Sequence, residues 1–272
     1  MNPVNLFEEE FAKYVGLDAR NVVAVSNGTA ALISSILALK LPPHSRVATT
    51  PFTFPATSNV IILAGHKPIF VDIDDNYQLD PDKLDDIHGG VDAILPVHLF
   101  GEPCKILKIC EWAERHCVPV IEDCSQAVGL RIRTEKKSRF SLWTKQHVGT
   151  FGTAGTFSFY ASKNLPTFEG GMVITNSIKI IDFVRQIINH GFEKGEMVEL
   201  GYNFKMPWIN AFLGWQHLLL HKPGIEAELG RYGIKDGYYP KLVYQYDWYR
   251  RHPMKWESYP CPKAELAVTQ VR

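Results

Sequence analysis

The sequence predicts an α/β fold of the three-layer α/β/α type, in which helices cover both faces of a mostly parallel sheet. Short apolar runs rich in β-branched residues alternate with segments whose apolar residues recur three or four positions apart. Such alternation is typical of parallel strands connected by helices. The chain has 272 residues, 46% of them hydrophobic and 21% charged, which is ordinary globular composition and sufficient for one sizeable core.

The first predicted elements are short strands rich in valine, isoleucine and threonine, separated by segments with helical spacing of apolar residues. In chain order they are a strand at 21–25, a helix at 29–40, a strand at 46–50, a helix at 55–64, and strands at 68–72 and 92–97.

The later elements continue the alternation. A helix is predicted at 104–115, entered through Pro103, because proline is favoured at the start of a helix. It is followed by strands at 118–122, 155–160 and 172–175 and by a helix at 178–188.

Two regions lack a clear periodicity. Residues 130–147 are polar and basic, and we interpret them as an exposed loop or insertion. The stretch from about His221 is rich in tyrosine, proline and tryptophan and contains turn-like sequences. About fifty residues are few for an independent domain.

Composition excludes several classes of function. Acidic and basic residues balance at 29 each, and no basic stripe indicates nucleic acid as a partner. No apolar run reaches the roughly 18 residues of a membrane-spanning helix, and residues 1–10 do not form a secretory signal. We therefore expect a cytoplasmic protein without a membrane partner. The five cysteines form no C-x-x-C pairs, so no metal site is expected.

Polar residues follow several predicted strands. Asn27, Gly28 and Thr29 follow the first strand, Asp123 ends a later one, and Lys163 comes shortly after the strand at 155–160. Ligands of open α/β sheets bind beyond the carboxyl ends of the strands. These residues are therefore expected to meet in one crevice.

The turn at Gly28 and Thr29 connects a strand to a helix. Free backbone N–H groups at the start of a helix bind phosphate well. The alternative is a plain capped turn, with Asn27 or Thr29 as the N-cap.

Asp123 ends a strand of the buried type, where a carboxylate is costly unless it is paired. A protonated pyridine nitrogen is one suitable partner. The alternative is an aspartate that caps the following helix.

Lys163 lies just beyond an apolar, aromatic strand, where desolvation lowers the pKa of an amine. A neutral amine can attack an aldehyde and form a Schiff base. Ser158, in the same strand, could donate to a phosphate. The alternative is an ordinary surface lysine.

The order of phosphate turn, acidic strand end and lysine is that of fold-type I pyridoxal-phosphate enzymes. A wider set of motifs accompanies this order: NGTAAL at 27–32, TPFTFPAT at 50–57, PIFVD at 68–72, EDCSQA at 122–127, FSF at 157–159, KN at 163–164, EGG at 169–171, HG at 190–191 and GYNF at 201–204. Together these motifs resemble the DegT/DnrJ/EryC1/StrS family of sugar aminotransferases, from about Phe7 to Leu218.

The resemblance implies a large cofactor-binding domain with an N-terminal arm at 1–218 and a shortened α+β small domain at 219–272, because family members usually run well past this length. Lys163 corresponds to the lysine that holds pyridoxal 5′-phosphate and moves the proton. Asp123 corresponds to the partner of the pyridine nitrogen. The other implied cofactor contacts are Gly28, Thr29 and Ser158 at the phosphate, Phe54 stacked on the ring, Gln126 near the phenolic oxygen, and Asn203 reaching the phosphate from a neighbouring subunit.

A site shared in this way implies a homodimer. His98 and His190 are weaker candidates, more typical of structural hydrogen-bonding histidines than of catalytic ones. The implied reaction moves an amino group from a donor, commonly glutamate, to a keto-sugar attached to a nucleotide, for amino-sugar and surface-polysaccharide biosynthesis.

Three alternatives stay open. Some family members are sugar dehydratases with histidine at the lysine position, which Lys163 argues against. A fold-type I enzyme acting on amino acids alone is weakened by the motif at 201–204. A truncated non-catalytic or regulatory paralogue stays open because of the short C-terminus.

Overall fold

A computed structural model describes residues 2–138, 141–227 and 239–270 of the chain. The strands are β1 (Val22–Val25), β2 (Arg46–Thr49), β3 (Lys67–Phe70), β4 (Ala93–Ile94), β5 (Ile121–Asp123), β6 (Arg131–Ser138), β7 (Ser141–His147), β8 (Ala154–Ser158), β9 (Gly171–Ile174), β10 (Phe192–Glu193), β11 (Glu196–Met197) and β12 (Glu257–Ser258). The helices are α1 (Pro3–Val15), α2 (Gly28–Ala38), α3 (Ala56–Leu63), α4 (Ile106–His116), α5 (Ile178–Ile187), α6 (Trp208–Ala227), α7 (Asp247–Arg251) and α8 (Pro262–Gln270).

The main sheet has the strand order β1-β9-β8-β5-β4-β2-β3-β12. It consists of two hydrogen-bonded groups, which meet through the parallel bridges Ile94–Val120 and Val97–Asp123. Strand β9 is antiparallel to both of its neighbours, and the other neighbouring strands are parallel. The predicted mostly parallel sheet is confirmed.

Helices cover both faces of this sheet. Val22 and Ala24 of β1 pack with α1 and α6, whereas Val23 and Val25 pack with α2 and α5 on the other face. Farther along, α4 lies on the first face, in a cluster that shares Ile132 with the cluster of α1. Helix α3 lies with α2 on the second face. Successive strand residues point to opposite faces, so a sheet buried on both sides needs continuous apolar strands.

Local sequence signals define the first helix. The Asn2 side chain accepts a hydrogen bond from the backbone N–H of Val4 at 3.0 Å, and Pro3 occupies the first turn. The helix ends at Gly16, whose φ of 86° suits glycine. Among the described residues, none of the helices is long and apolar enough to cross a membrane.

Residues 130–147 were interpreted as an exposed loop or insertion, and the loop part of that interpretation was wrong. Strands β6 and β7 form an antiparallel hairpin there, with Arg131 opposite His147. Ile132 packs partly buried against the core, and His147 is fully buried. The hairpin strands pair with each other rather than within the main sheet, so most of their side chains need not be apolar. Their sequence therefore lacks the alternation typical of a half-buried strand.

The described C-terminal residues pack against the sheet edge. Strand β12 pairs with β3 in parallel. The buried carboxylate of Asp72 accepts from the N–H groups of Lys263 and Ala264, at 3.1 and 2.9 Å, at the start of α8. Leu242 and Ala264 share an apolar cluster with residues that precede α4 in the chain. The division at residue 218 stays a prediction, and α6 runs continuously across that position.

Candidate active site

A cavity of about 570 Å³ opens at the carboxyl ends of the central strands. Most of the residues singled out in the sequence line it. They are Gly28, Thr29, Phe54, Asp123, Gln126, Ser158 and Lys163. Strands β5 and β8 end at Asp123 and Ser158, and the turn after β1 lies beside them, so the parallel order of the sheet brings these positions together.

The turn between β1 and α2 has the geometry of an anion site. Asn27 is the N-cap of α2, and its side chain accepts from the N–H of Ala30 at 2.8 Å. The N–H groups of Gly28 and Thr29 donate to no acceptor within the described part of the chain. Two free amides at a helix N-terminus favour a phosphate at this point. Asn27 is thus a cap and the turn is also open to a ligand.

Close approach explains two glycines of this wall. A Cβ on Gly28 would lie 2.7 Å from the Cβ of Ser158. A Cβ on Gly171 would lie 2.4 Å from the carbonyl oxygen of Asn27. Both distances are shorter than any normal carbon contact. Glycine at these positions lets β8 and β9 approach the turn, which places the Ser158 hydroxyl beside the free amides.

Asp123 forms the opposite wall of the cavity, with only 3% of its surface exposed. Its Oδ2 accepts from the hydroxyl of Thr57 at 3.0 Å, and its Oδ1 accepts from the N–H of Ser125 at 3.0 Å. Asp123 therefore begins the turn that follows β5; the next element is strand β6, so Asp123 does not cap a helix as the alternative interpretation proposed. These two donors also hold the carboxylate facing the cavity, where a cation could reach it.

Lys163 enters the cavity from the turn after β8, where its N–H donates to the carbonyl of Tyr160 at 2.8 Å. Burial lowers the pKa of the Lys163 ammonium, and the negative charge of Asp123 partly opposes this. The lysine and the aspartate thus face the same small volume. A lowered pKa makes the neutral amine accessible as a nucleophile or base.

Gln126 and Phe54 differ in exposure. Gln126 is buried, and its side chain is bonded to the N–H of Phe100 and the hydroxyl of Tyr239. Phe54 is 61% exposed at the cavity mouth. An exposed ring of this size is available to stack on a planar ligand.

The remaining predicted positions lie outside the cavity. Asn203 is exposed and forms a bridge with Asn189. His190 is exposed, with a φ of 60° in the turn after α5. His98 is fully buried, and its Nε2 lies 3.0 Å from Glu122 Oε2. Neither histidine lines the cavity, as expected for structural residues.

Glu122 is the centre of a buried polar network. Its carboxylate accepts from the N–H groups of Gly149, Phe151 and Gly152 at 2.7–2.8 Å. The N–H of Cys104 donates to His98 Nδ1, so the ring proton lies on Nε2 and points to Glu122. Cys124 lies close enough that these three side chains could in principle hold a metal ion. The glutamate oxygens are already satisfied by these donors, which accounts for the cluster as structure.

Sequence reasoning missed two residues that complete the site. Thr57 donates to Asp123 from the start of α3, and Tyr239 lines the cavity from the C-terminal segment. Thr57 lies in the motif at 50–57, but the sequence does not indicate which residue its hydroxyl bonds to. Tyr239 follows a region without periodicity, so no local signal indicated it.

Fold and cavity together define a class of protein: an α/β protein of the fold-type I class, with a lysine, a buried aspartate and a phosphate turn around one ligand site. The chain belongs to the DegT/DnrJ/EryC1/StrS aminotransferase family, whose profile matches residues 2–222. The resemblance noted in the sequence is confirmed.

Relatives of known name support this placement. The chain is 36% identical to the spore coat polysaccharide biosynthesis protein SpsC of Bacillus subtilis, over 79% of this chain and 56% of SpsC. It is 32% identical to the GDP-perosamine synthase of Vibrio cholerae, over 78% of this chain and 55% of that enzyme. The chain therefore spans about half the length of these relatives.

A solved structure shows the same fold. NtdA of Bacillus subtilis, crystallised with the bound cofactor PMP, is 29% identical and superimposes with a TM-score of 0.72. The alignment covers 82% of this chain and 49% of NtdA. Members of this family use pyridoxal phosphate.

The residues of the cavity fit that cofactor. The free amides of Gly28 and Thr29, with the adjacent Ser158 hydroxyl, suit its phosphate. The buried Asp123 suits a protonated ring nitrogen. Lys163, with its lowered pKa, suits the aldehyde.

Proposed function

We propose that this chain forms the cofactor-binding part of a pyridoxal-phosphate-dependent aminotransferase acting on a keto-sugar linked to a nucleotide, with glutamate as the amino donor. The observation that carries the proposal is the meeting of Lys163, Asp123 and the Gly28–Thr29 turn in one cavity. The printed name of a relative, GDP-perosamine synthase, supports the substrate class.

Pyridoxal phosphate, when bound, supplies an electron sink for the carbanion that forms at the amino-bearing carbon. The side chains of this protein supply the rest. The backbone amides of Gly28 and Thr29 would bind the phosphate, and the Asp123 carboxylate would pair with the protonated ring nitrogen. Lys163 Nζ would take the proton from the amino-bearing carbon of the donor and pass it to the cofactor carbon that receives the amino group, which requires the neutral amine. Its lowered pKa favours that form.

The positions of Phe54 and Gln126 support the roles proposed for them. Phe54, exposed at the cavity mouth, would stack on the ring and exclude water from one face. The buried amide of Gln126, held by its bonds to Phe100 and Tyr239, would orient the ring by a further hydrogen bond. Since each of these side chains lines the same cavity, one ligand can contact both.

The proposal extends to a homodimer. Asn203 is exposed and outside the cavity of its own chain, a position from which it could reach a neighbouring subunit. The dimer, a cytoplasmic location and a place in surface-polysaccharide biosynthesis stay predictions.

The first test measures cofactor attachment. Purified protein mixed with pyridoxal phosphate should develop a visible absorbance band, and borohydride reduction should leave the cofactor mass on the peptide containing Lys163. Lys163→Ala should abolish both signals. Lys179→Ala removes an exposed lysine outside the cavity and should change neither.

The second test addresses the reaction. Glutamate added to the loaded protein should bleach the visible band, and a nucleotide-linked keto-sugar should restore it. A protein that takes up no cofactor would contradict the proposal and favour the non-catalytic paralogue. A loaded protein that responds to other amino acids but not to glutamate would contradict only the choice of donor.

A further inference from the structure

The C-terminal segment contributes Tyr239 to the cavity wall. Its ring packs against Phe52 and Phe100, with centroid distances of 5.6 and 5.8 Å, and only 4% of its surface is exposed. Aromatic neighbours on two sides leave a buried ring little rotational freedom. Packing therefore determines where the Tyr239 hydroxyl lies.

That hydroxyl contacts Gln126. The distance from Gln126 Nε2 to the Tyr239 hydroxyl oxygen is 3.0 Å, and Gln126 Oε1 accepts from the N–H of Phe100 at 2.7 Å. A backbone N–H can only donate, so the Phe100 contact determines which end of the amide is oxygen. The amide nitrogen must then face Tyr239.

An amide nitrogen has two hydrogens. One is directed to Tyr239, and Gln126 Nε2 has no second acceptor among the described residues. Since Gln126 lines the cavity, the second hydrogen is available to a ligand there. The cavity is thus lined by a hydrogen-bond donor, the Gln126 amide, and by an acceptor, the Asp123 carboxylate.

We infer that Tyr239 is a positioning residue: it accepts from Gln126 Nε2 and so holds the side-chain amide in the orientation that the Phe100 N–H selects, with the second hydrogen of the nitrogen towards the cofactor. The inference rests on the proposed function. A rotated amide would place its oxygen against a ring oxygen of the ligand, and two acceptors repel each other. The C-terminal segment would thereby complete a site whose other described walls belong to residues 27–204.

The test is Tyr239→Phe, which removes the hydroxyl and keeps the ring packing. Loss of one neutral hydrogen bond should weaken binding of pyridoxal phosphate by about 2- to 10-fold in an absorbance titration. The absorbance maximum of the bound cofactor should also shift. The cofactor-free protein loses the same hydrogen bond, so its thermal unfolding temperature should fall by only a few degrees.

Tyr244→Phe is the matched control. Tyr244 lies on the same segment, and its hydroxyl bonds to the exposed Glu265 at 3.2 Å, outside the cavity. It should leave both the affinity and the spectrum unchanged. A general effect of losing a tyrosine hydroxyl from this segment would appear in both variants.

A double-mutant cycle tests whether Tyr239 acts through Gln126. In a Gln126→Ala background, Tyr239→Phe should have no further effect on cofactor affinity or spectrum. An equal effect in both backgrounds, or unchanged binding by Tyr239→Phe alone, would overturn the inference while the proposed function stands. A wild-type chain that binds no cofactor would overturn both.

Discussion

Replacing Gly28 by alanine probes the phosphate turn most directly. Its Cβ would lie 2.7 Å from the Cβ of Ser158, roughly 1 Å closer than the ~3.5–4.0 Å of a normal carbon contact. Neither atom is the end of a flexible side chain, so the start of α2 and strand β8 must separate. Overpacking of this kind costs about 1–3 kcal/mol. Without the clash, alanine would favour the helix by about 0.5–1 kcal/mol.

The separation should also weaken phosphate binding, because the free amides and the Ser158 hydroxyl would no longer converge. We expect Gly28→Ala to lower the thermal unfolding temperature and to reduce affinity for pyridoxal phosphate by at least tenfold, a loss of about 1.4 kcal/mol. Both are measured on the purified protein, by thermal melting and by absorbance titration.

Gly214→Ala is the control. Its Cβ would meet the Phe7 ring at 2.5 Å where α1 packs on α6, away from the cavity. It should destabilise the fold while leaving the affinity of the folded protein unchanged. Equal losses of affinity in the two variants would refute the steric argument, as would a Gly28→Ala variant that binds normally.

Two further predictions concern buried polar groups. Thr57→Val keeps the side-chain shape but removes the donor to Asp123, and loss of a bond to a charged group should lower the free energy of unfolding, measured with urea, by about 1.5–3 kcal/mol. Thr53→Val is the control: its hydroxyl contacts Thr57 rather than Asp123, so the loss should be smaller. Wild-type stability of Thr57→Val would contradict the hydrogen bond to Asp123. His147 accepts from the N–H of Gly129 through Nε2, and burial lowers its pKa to about 3. The unfolded chain protonates His147 near pH 6.5, whereas the folded chain does so only near pH 3. The free energy of unfolding is therefore at its full value above pH 6.5 and falls as the pH decreases towards 3, by about 2 kcal/mol at pH 5. Unfolding free energies measured across this range should show the slope for the wild type and lose it in His147→Gln; an equal slope in both would contradict the prediction.

The sheet could be predicted because its signals are local. Continuous apolar strands such as 22–25, followed by helical periodicity, indicate a doubly covered sheet whatever the remaining chain does. The hairpin of β6 and β7 could not, because its strands pair with each other and not within the main sheet. Its polar sequence resembled a loop, although His147 and Ile132 connect it to the core.

The candidate site was predicted where a residue type and its strand-end position sufficed. Lys163, Asp123 and the Gly28–Thr29 turn are of this kind. Thr57 and Tyr239 are different, since their roles depend on hydrogen bonds to residues 66 and 113 positions away. No pattern within one segment carries such information.

By itself, the sequence determined the α/β class, the family and the strand-end residues around the cavity, because periodicity and motif order are properties of neighbouring positions. Only the tertiary structure decided how those residues are held. It shows the Gly28 turn packed against Ser158, Asp123 bonded to Thr57, and Gln126 bonded to Tyr239 of the C-terminal segment. Each of these contacts joins segments distant in the chain, and close packing alone determines which of them meet.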